Sequence, residues 1–156
     1  MIDKMVVQIH DPDTKRAIAR SILEELRDWF AIDENREKYI RDSAGWIFLA
    51  AKEDERYVGF LCLKETGQDT AEVAVMGVAP DRHRCGVGRQ LMDKAKETAA
   101  AAGYSFLQVK TVRMGKYPDY DRTNMFYKSM GFKEFEVIPV LWGEDDPCQI
   151  YVMYLK

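Results

Sequence analysis

The sequence predicts a single α/β (α+β) domain, with a mixed, largely antiparallel sheet that carries helices on both faces. Its length of 156 residues suits one domain with a full core. Apolar residues alternate with period 2 in some runs and follow helical spacing in others. Glycine and polar clusters separate these runs. Together they give the element order β-α-α-β-β-β-α-β-α-β-β.

The N-terminal part predicts one strand and two helices. Residues 5–9 form the strand, and Asp13 or Thr14 can cap the first helix. A shorter helix lies between Asp33 and Asp42. The apolar face of the first helix consists of Ala17, Ile18, Ile22, Leu26, Trp29 and Phe30.

The middle of the chain predicts a hairpin, a further strand and a long helix. The hairpin pairs residues 46–51 with residues 57–63, and the next strand covers residues 72–78. The helix runs over residues 87–102 and stops at Gly103.

The C-terminal part predicts three strands, a polar loop and a short helix. In order these are a strand at 104–110, the loop at 111–120, a helix at 123–130 ended by Gly131, and strands at 132–140 and 149–155.

Composition excludes several classes of protein. The net charge of −3 argues against general nucleic-acid binding, which leaves a basic footprint. The chain has three widely spaced cysteines and no C-x-x-C pair, so neither a disulfide framework nor a zinc site is expected. No signal-peptide core or membrane-length apolar run is present. We therefore expect a cytoplasmic protein with no metal and no membrane partner.

The turn between the strand at 72–78 and the helix at 87–102 is the most informative segment. Gly86 and Gly88 stand where that helix begins. Free N–H groups at a helix start form an anion site, and glycine lets a diphosphate approach the backbone. Positive charge around this turn comes from Arg82, Arg84 and Arg89.

The same turn does not match two common nucleotide motifs. Leu91 breaks the pattern G-x-G-x-x-G, and no Gly-Lys-Ser/Thr follows. An ordinary strand-to-helix turn that uses glycine for tight geometry is the alternative interpretation.

Two signatures in this order resemble the GNAT superfamily of acyl-CoA-dependent N-acetyltransferases. The family's phosphate loop has Arg or Gln, two residues, Gly, one residue, then Gly or Ala; here His83 stands in the first slot and Gly86 and Gly88 in the glycine slots. The second signature is Asn-x-x-Ala-x-x-Phe-Tyr followed by Gly-Phe. Phe126, Tyr127, Gly131 and Phe132 are in register, Tyr120 takes the Asn slot and Thr123 the Ala slot, and Asn124 does not fill the Asn role.

The resemblance implies one acetyltransferase-like domain over residues 1–156, with acetyl-CoA (coenzyme A) as the acyl-donor substrate. By this likeness the main chain of Met76 to Val78 binds the pantetheine arm, and the turn binds the diphosphate. The residues expected to bind the donor are Met76, Gly77, Val78, His83, Arg84, Cys85, Gly86, Val87, Gly88, Arg89, Tyr120, Thr123, Phe126 and Tyr127.

The resemblance also suggests catalytic groups. Tyr127 is the candidate acid at the thioester sulfur, and its alternative role is that of a core tyrosine. Glu72 is the candidate base for the amine, relayed by water. However, about six residues at roughly 3.3 Å each separate it from Val78, so a solvated carboxylate at the start of the strand is an equal alternative.

The acceptor is expected to be a primary amine of a small molecule or peptide. Its candidate binding residues are Trp29, Phe30, Tyr117 and Trp142. The acidic and phenolic groups Asp119, Tyr120 and Asp121 could also bind a cation, or they form a plain polar loop. A homodimer, a non-catalytic acyl-CoA sensor and a different nucleotide cofactor stay open.

Overall fold

The computed structural model describes residues 4–26 and 33–155, which form the predicted elements in the predicted order. They are β1 (Lys4–Ile9), α1 (Pro12–Glu25), α2 (Asp33–Ser43), β2 (Ile47–Glu53), β3 (Arg56–Gly67), β4 (Thr70–Val78), a 3₁₀ turn (Pro80–Arg82), α3 (Val87–Ala101), β5 (Phe106–Val112), α4 (Pro118–Ser129), β6 (Lys133–Ile138) and β7 (Cys148–Tyr154).

Seven strands in the described part of the chain form one sheet in the order β1-β2-β3-β4-β5-β7-β6. The pairs β1–β2, β2–β3, β5–β7 and β6–β7 are antiparallel, whereas β4 and β5 are parallel. The predicted mixed, largely antiparallel sheet is confirmed. No helix among the described residues is long and apolar enough to cross a membrane.

The chain divides into two compact units. The first comprises the described parts of Met1–Lys64 and Ala74–Thr98, and the second those of Glu65–Val73 and Ala99–Lys156. Strand β4 and helix α3 each contribute residues to both units.

In the first unit, α1 packs on the sheet through its apolar face. Ile18 and Ile22 are buried in one cluster with Phe48 and Phe60, whose rings stack at a centroid distance of 5.2 Å. Each such buried side chain stabilises the fold by roughly 1.5–3 kcal/mol. Ile18, Ile22 and Leu26 of the predicted apolar face are buried. Ala17 is exposed, so its place in that face is corrected, and Trp29 and Phe30 lie outside the described residues.

Two glycines of the first unit allow helices to lie close to the strands. A Cβ atom on Gly77 would come within 3.1 Å of Ile22 and Leu26 at the end of α1. A Cβ atom on Gly59 would come within 3.0 Å of Val87 in α3. A larger residue at either position would force these helix side chains to move by a few tenths of an ångström.

In the second unit, β5 and β7 pair along their whole length, from Phe106↔Tyr154 to Val112↔Cys148. Strand β4 pairs with β5 over Thr70–Glu72. Helix α4 contributes Tyr127, whose ring centroid lies 5.8 Å from that of Phe132 and 6.0 Å from that of Tyr151.

The prediction of Asp13 or Thr14 as the cap of the first helix is wrong. The cap is Asp11, whose carboxylate accepts hydrogen bonds from the Thr14 N–H at 2.8 Å and the Thr14 hydroxyl at 2.7 Å. Pro12 takes the first helical position, where its fixed φ suits the helix and no N–H is needed.

The predicted loop at 111–120 is wrong at both ends. Strand β5 continues to Val112, and α4 begins at Pro118 rather than at residue 123. As in α1, a proline opens the first turn of the helix. The structure therefore leaves a shorter connection than the polar composition suggested.

Candidate functional site

Residues 83–89, called the glycine turn below, comprise the connection that follows the 3₁₀ turn and the first three residues of α3. The backbone has a positive φ at Arg84 (+63°) and at Gly86 (+84°). The N–H of Gln90 donates to the carbonyl of Gly86 at 3.1 Å. The N–H groups of residues 87–89 therefore belong to the first turn of α3, where a helix leaves its donors without carbonyl partners.

The glycine turn also provides space for a ligand. Residues 83–86 are exposed, whereas Val87 and Leu91 are buried and hold the start of α3 in place. A Cβ atom on Gly86 would meet no atom within 4 Å, so this glycine is required by its φ and not by crowding. The result is an open turn at which the exposed side chains of Arg84 and Arg89 accompany the main-chain N–H groups at the start of α3.

Two side chains of the glycine turn bond back to the protein. The Nε2 atom of His83 lies 2.7 Å from the carbonyl oxygen of Val78, and the thiol of Cys85 lies 3.6 Å from the carbonyl oxygen of His83. Arg84 and Arg89 are exposed. The side chain of Arg82, one of the three arginines expected to add positive charge around this turn, is paired with the carboxylate of Glu53 at 2.8 Å.

Helix α4 presents a buried phenol. Tyr127 is 8 % exposed and packs against Phe126 at a centroid distance of 5.7 Å. Burial, with a smaller contribution from Tyr120, raises the pKa of the Tyr127 phenol well above its ordinary value. The hydroxyl therefore stays protonated at neutral pH.

The buried residues of α4 are Asn124 and Tyr127, and the side of the helix that carries them is called the Tyr127 face below. Asn124 attaches this face to the sheet. It is fully buried, and its amide group donates to the carbonyl of Val112 at 2.9 Å and to that of Tyr120 at 2.6 Å. Its side-chain oxygen accepts a hydrogen bond from the hydroxyl of Tyr151 at 2.6 Å. Sequence reasoning considered Asn124 only for a cofactor role; its bonds in this structure are internal.

Thr123, in the Ala slot, also bonds within the protein, since its hydroxyl donates to the carbonyl of Asp119 at 3.2 Å. Phe126 and Tyr120 are partly exposed. The ring of Tyr120 meets that of Tyr117 edge-on at a centroid distance of 5.9 Å.

Glu72 is buried and ion-paired. Its carboxylate lies 2.8 Å from the ammonium group of Lys110 on β5. Cys148 on β7 is also buried, and burial raises the pKa of its thiol, with Lys110 opposing that shift. The alternative interpretation of Glu72 as a solvated carboxylate at the strand start is therefore wrong.

Of the predicted acceptor residues, Tyr117 and Trp142 lie on exposed segments, and Trp29 and Phe30 lie outside the described residues. The hydroxyl of Tyr117 donates to the carboxylate of Asp146 at 3.0 Å, and this bond raises the pKa of the phenol. The main chains are joined as well, since Arg113 N–H donates to the carbonyl of Pro147 at 2.8 Å. The segment before α4 and the segment before β7 thus form one connected surface.

The acidic groups near Tyr117 are already engaged. The carboxylate of Asp121 accepts from the N–H of Gly115 at 2.7 Å, and Asp119 pairs with Arg122. Within residues 4–26 and 33–155, no group of three or more His, Cys, Asp or Glu side chains is arranged to hold a metal ion.

Comparison with known proteins identifies the family. The sequence profile of the acetyltransferase (GNAT) domain matches residues 44–134, more than half of the chain. The chain belongs to the GNAT acetyltransferase family. It is therefore an acyltransferase, and acetyl-CoA is the donor that its family uses. No curated protein sequence matches the chain.

Solved structures support the same fold. An IAA acetyltransferase from Bacillus cereus has 18% identity and a TM-score of 0.76, covering 97% of this chain and 99% of that one. An aminoglycoside 6'-N-acetyltransferase complexed with coenzyme A has 16% identity and a TM-score of 0.74, covering 97% of each chain. The ribosomal-protein-S18-alanine N-acetyltransferase from Escherichia coli has 16% identity and a TM-score of 0.73, covering 99% and 95%. At these identities the likeness concerns the fold alone.

The glycine turn of this GNAT chain suits a diphosphate. The turn is open, a Cβ atom at Gly86 would enter empty space, and the first N–H groups of α3 follow immediately. This observation is independent of the family assignment.

Sequence reasoning missed the supporting residues of this GNAT chain, namely Glu53, Asn124 and Tyr151. One signal was available, because Tyr120, Asn124 and Tyr127 are spaced at i, i+4 and i+7 and so share one face of a helix. For the pairing of Glu53 with Arg82, 29 residues apart, the sequence carries no local signal.

Proposed function

We propose that the chain transfers an acetyl group from acetyl-CoA to a primary amine of a small molecule or peptide, by direct attack in a ternary complex. The glycine turn is the observation that carries the proposal, because it offers main-chain donors and open space at a helix start. The whole of residues 1–156 acts as one acetyltransferase domain in this proposal.

The donor is held mainly by main chain. The backbone from His83 to Arg89 binds the diphosphate, and the backbone from Met76 to Val78 binds the pantetheine arm, as the family resemblance assigns. The N–H of Val78 or of a close neighbour stabilises the oxyanion. Tyr120, Thr123 and Phe126 complete the donor site in this assignment.

Tyr127 acts on the sulfur that leaves as CoA thiolate. Because burial raises its pKa, the phenol is protonated when the acyl group is transferred. A thiol has a pKa of about 8.5, so complete proton transfer from this phenol to the thiolate is uphill. We therefore assign Tyr127 the role of a hydrogen-bond donor that stabilises the developing thiolate.

Glu72 is the proposed base for the amine, directly or through water. An alkyl amine with a pKa near 10 needs roughly 4 kcal/mol to lose its first proton at neutral pH. Attack of the neutral amine on the thioester carbonyl makes the nitrogen strongly acidic, so the carboxylate takes the proton that is released as the C–N bond forms. The ion pair with Lys110 fixes the carboxylate in one position. The substitution Glu72→Gln should lower activity mainly below the pH optimum, because at higher pH the amine loses its proton to solvent.

The acceptor surface is proposed to include Tyr117 and Trp142, together with Trp29 and Phe30. Its phenols and carboxylates suit a cationic amine. The structural neighbours named above act, by their names, on acceptors as different as an aminoglycoside and a protein alanine. We therefore propose an amine without assigning the molecule that carries it.

The setting of the enzyme is also proposed. Its three cysteines, all among the described residues, are not in disulfide bonds, which suits the cytoplasm. Strand β6 ends the sheet and carries the exposed Phe135, so a homodimer could form at this edge.

The proposal is tested by incubating the protein with acetyl-CoA and a panel of amines while free thiol is measured. Thiol release that requires an amine, with acetylated amine found by mass spectrometry, is expected. Binding of CoA by calorimetry without release for any amine would instead identify a non-catalytic sensor. Absence of CoA binding, with stabilisation by another nucleotide in a thermal-shift assay, would overturn the assignment of the turn.

A further inference from the structure

The ion pair between Arg82 and Glu53 is the most elaborate polar contact next to the glycine turn. The Nε and Nη2 atoms of Arg82 donate to both carboxylate oxygens of Glu53 at 2.8–3.1 Å. The side chain of Glu53 is 5% exposed and that of Arg82 is 27% exposed. This planar, two-point pairing occupies the guanidinium edge that a phosphate would otherwise bind.

A second pair extends this contact. Both Nη atoms of Arg56 donate to the carboxylate of Asp81, at 2.8 and 2.9 Å, and Nη1 of Arg82 donates to the same carboxylate at 3.2 Å. Asp81 and Arg82 belong to the 3₁₀ turn, whereas Glu53 and Arg56 belong to the β2–β3 hairpin. Two ion pairs therefore attach the 3₁₀ turn to the hairpin.

This attachment lies immediately before the glycine turn. His83 follows Arg82 directly, and the next residues have the positive φ values of Arg84 and Gly86. A non-glycine residue such as Arg84 keeps a positive φ only when its surroundings hold it in place. A main-chain anion site also depends on the directions of its N–H groups, so movement of the 3₁₀ turn would misdirect them.

We propose that Arg82 and Glu53 are positioning residues that hold the glycine turn in the geometry that binds the donor's diphosphate, without touching it. This inference rests on the proposed function, which assigns the diphosphate to the turn. The positive charge of Arg82 suggests direct contact with the phosphates. In this proposal the guanidinium instead binds Glu53 and thereby holds the 3₁₀ turn in place.

Titration of CoA by calorimetry tests the proposal in the wild type, Arg82→Met, Glu53→Gln and the double variant. Both single substitutions should raise the dissociation constant about tenfold, and the double variant should lose no more than either single one, as expected for residues that act together. Arg82→Lys, which keeps the charge but not the two-point geometry, should fall between wild type and Arg82→Met. This variant and Glu53→Gln disturb packing least, so the test survives if Arg82→Met unfolds.

A matched control comes from Arg20 and Glu37, an exposed two-point pair between α1 and α2 with both bonds at 2.8 Å. Arg20→Met should leave the dissociation constant within about twofold, while thermal unfolding reports any loss of stability. Equal weakening by Arg20→Met would show a general effect of destabilisation and overturn the proposal.

The remaining outcomes distinguish a positioning role of Arg82 from direct contact of Arg82 with the phosphates. If Arg82 touches the phosphates directly, Arg82→Met weakens binding, whereas Glu53→Gln leaves it unchanged or tightens it by freeing the guanidinium. Unchanged binding in all variants also overturns the positioning role. Failure of the wild type to bind CoA overturns the proposed function itself, which is a different result.

Discussion

The glycine turn and the Tyr127 face of α4 are held in their conformations by different kinds of contact. The turn is exposed, its backbone has positive φ values at Arg84 and Gly86, and the side chain of His83 bonds back to the carbonyl of Val78. The α4 face is buried, and its order comes from the side chains of Asn124, Tyr127 and Tyr151. Substitutions in the turn should therefore act through backbone conformation, whereas those on α4 should act through the atoms they remove.

The largest effect is expected at Tyr127. Tyr127→Phe should lower kcat about 100-fold and change the Michaelis constant for acetyl-CoA little, because a hydrogen bond made mainly in the transition state is lost. Since burial raises the pKa of this phenol, no fall in the wild-type rate below about pH 10 should come from its ionisation. Initial rates across the pH range measure both effects.

Tyr104 supplies the control for this substitution. Its hydroxyl donates to the carboxylate of Glu65 at 2.7 Å, so Tyr104→Phe also removes a phenolic hydrogen bond. That variant should keep kcat within about twofold of wild type, since exposed polar contacts contribute little. Near-normal turnover in Tyr127→Phe would remove the phenol from the mechanism.

The second effect concerns stability. Asn124→Ala should lower the free energy of unfolding by about 2 kcal/mol, because buried carbonyl and hydroxyl partners lose their hydrogen bonds. Tyr151→Phe removes one of these bonds and should cost about 1 kcal/mol. Urea denaturation measures both values. A loss for Asn124→Ala no greater than that for Thr123→Ala, whose hydroxyl bonds within its own helix, would contradict the network.

The same comparison explains what the sequence could predict. The order of the elements and the glycine turn follow from local signals, since hydrophobic period and glycine placement are read within a few residues. The signals for the helix starts at Pro12 and Pro118 are also local. Both starts were predicted too late because polar residues were given more weight than the proline that opens each helix.

The contacts that support the site were not predictable in this way. Asn124 depends on the carbonyl of Val112 and on Tyr151, which only the packing of α4 on β5 and β7 brings near. The pairing of Arg82 with Glu53 was not predicted, because no pattern in the sequence indicates Glu53 as its partner. For Glu72 the sequence left a catalytic base and a solvated carboxylate as alternatives for the same reason, since its partner Lys110 lies on another strand. Burial and ion pairing between distant segments are tertiary properties.

The third effect tests the backbone of the glycine turn. Gly86→Ala should weaken CoA binding about tenfold, since an L-residue at φ +84° costs about 1–2 kcal/mol and relief of that strain displaces the turn. Gly103→Ala is the control, because its φ of +96° imposes a similar strain beyond the end of α3. Calorimetry should show weaker binding for Gly86→Ala only. Equal affinity in the two variants would show that the turn's backbone does not form the site.

The smallest effect is expected at Arg84, and it separates charge from conformation. Arg84→Gly removes an exposed charge but relieves a positive φ of +63°, so the two consequences oppose each other. At 0.15 M salt, where charges are screened beyond about 8 Å, the CoA dissociation constant should stay within about threefold of wild type. Arg84→Gln removes the charge and keeps the strain, so it should bind slightly more weakly than Arg84→Gly. A strong and equal loss of affinity in both variants, larger at low salt, would contradict this prediction. It would mean that the charge of Arg84 binds the diphosphate. The turn would then depend on its side chains, as α4 does.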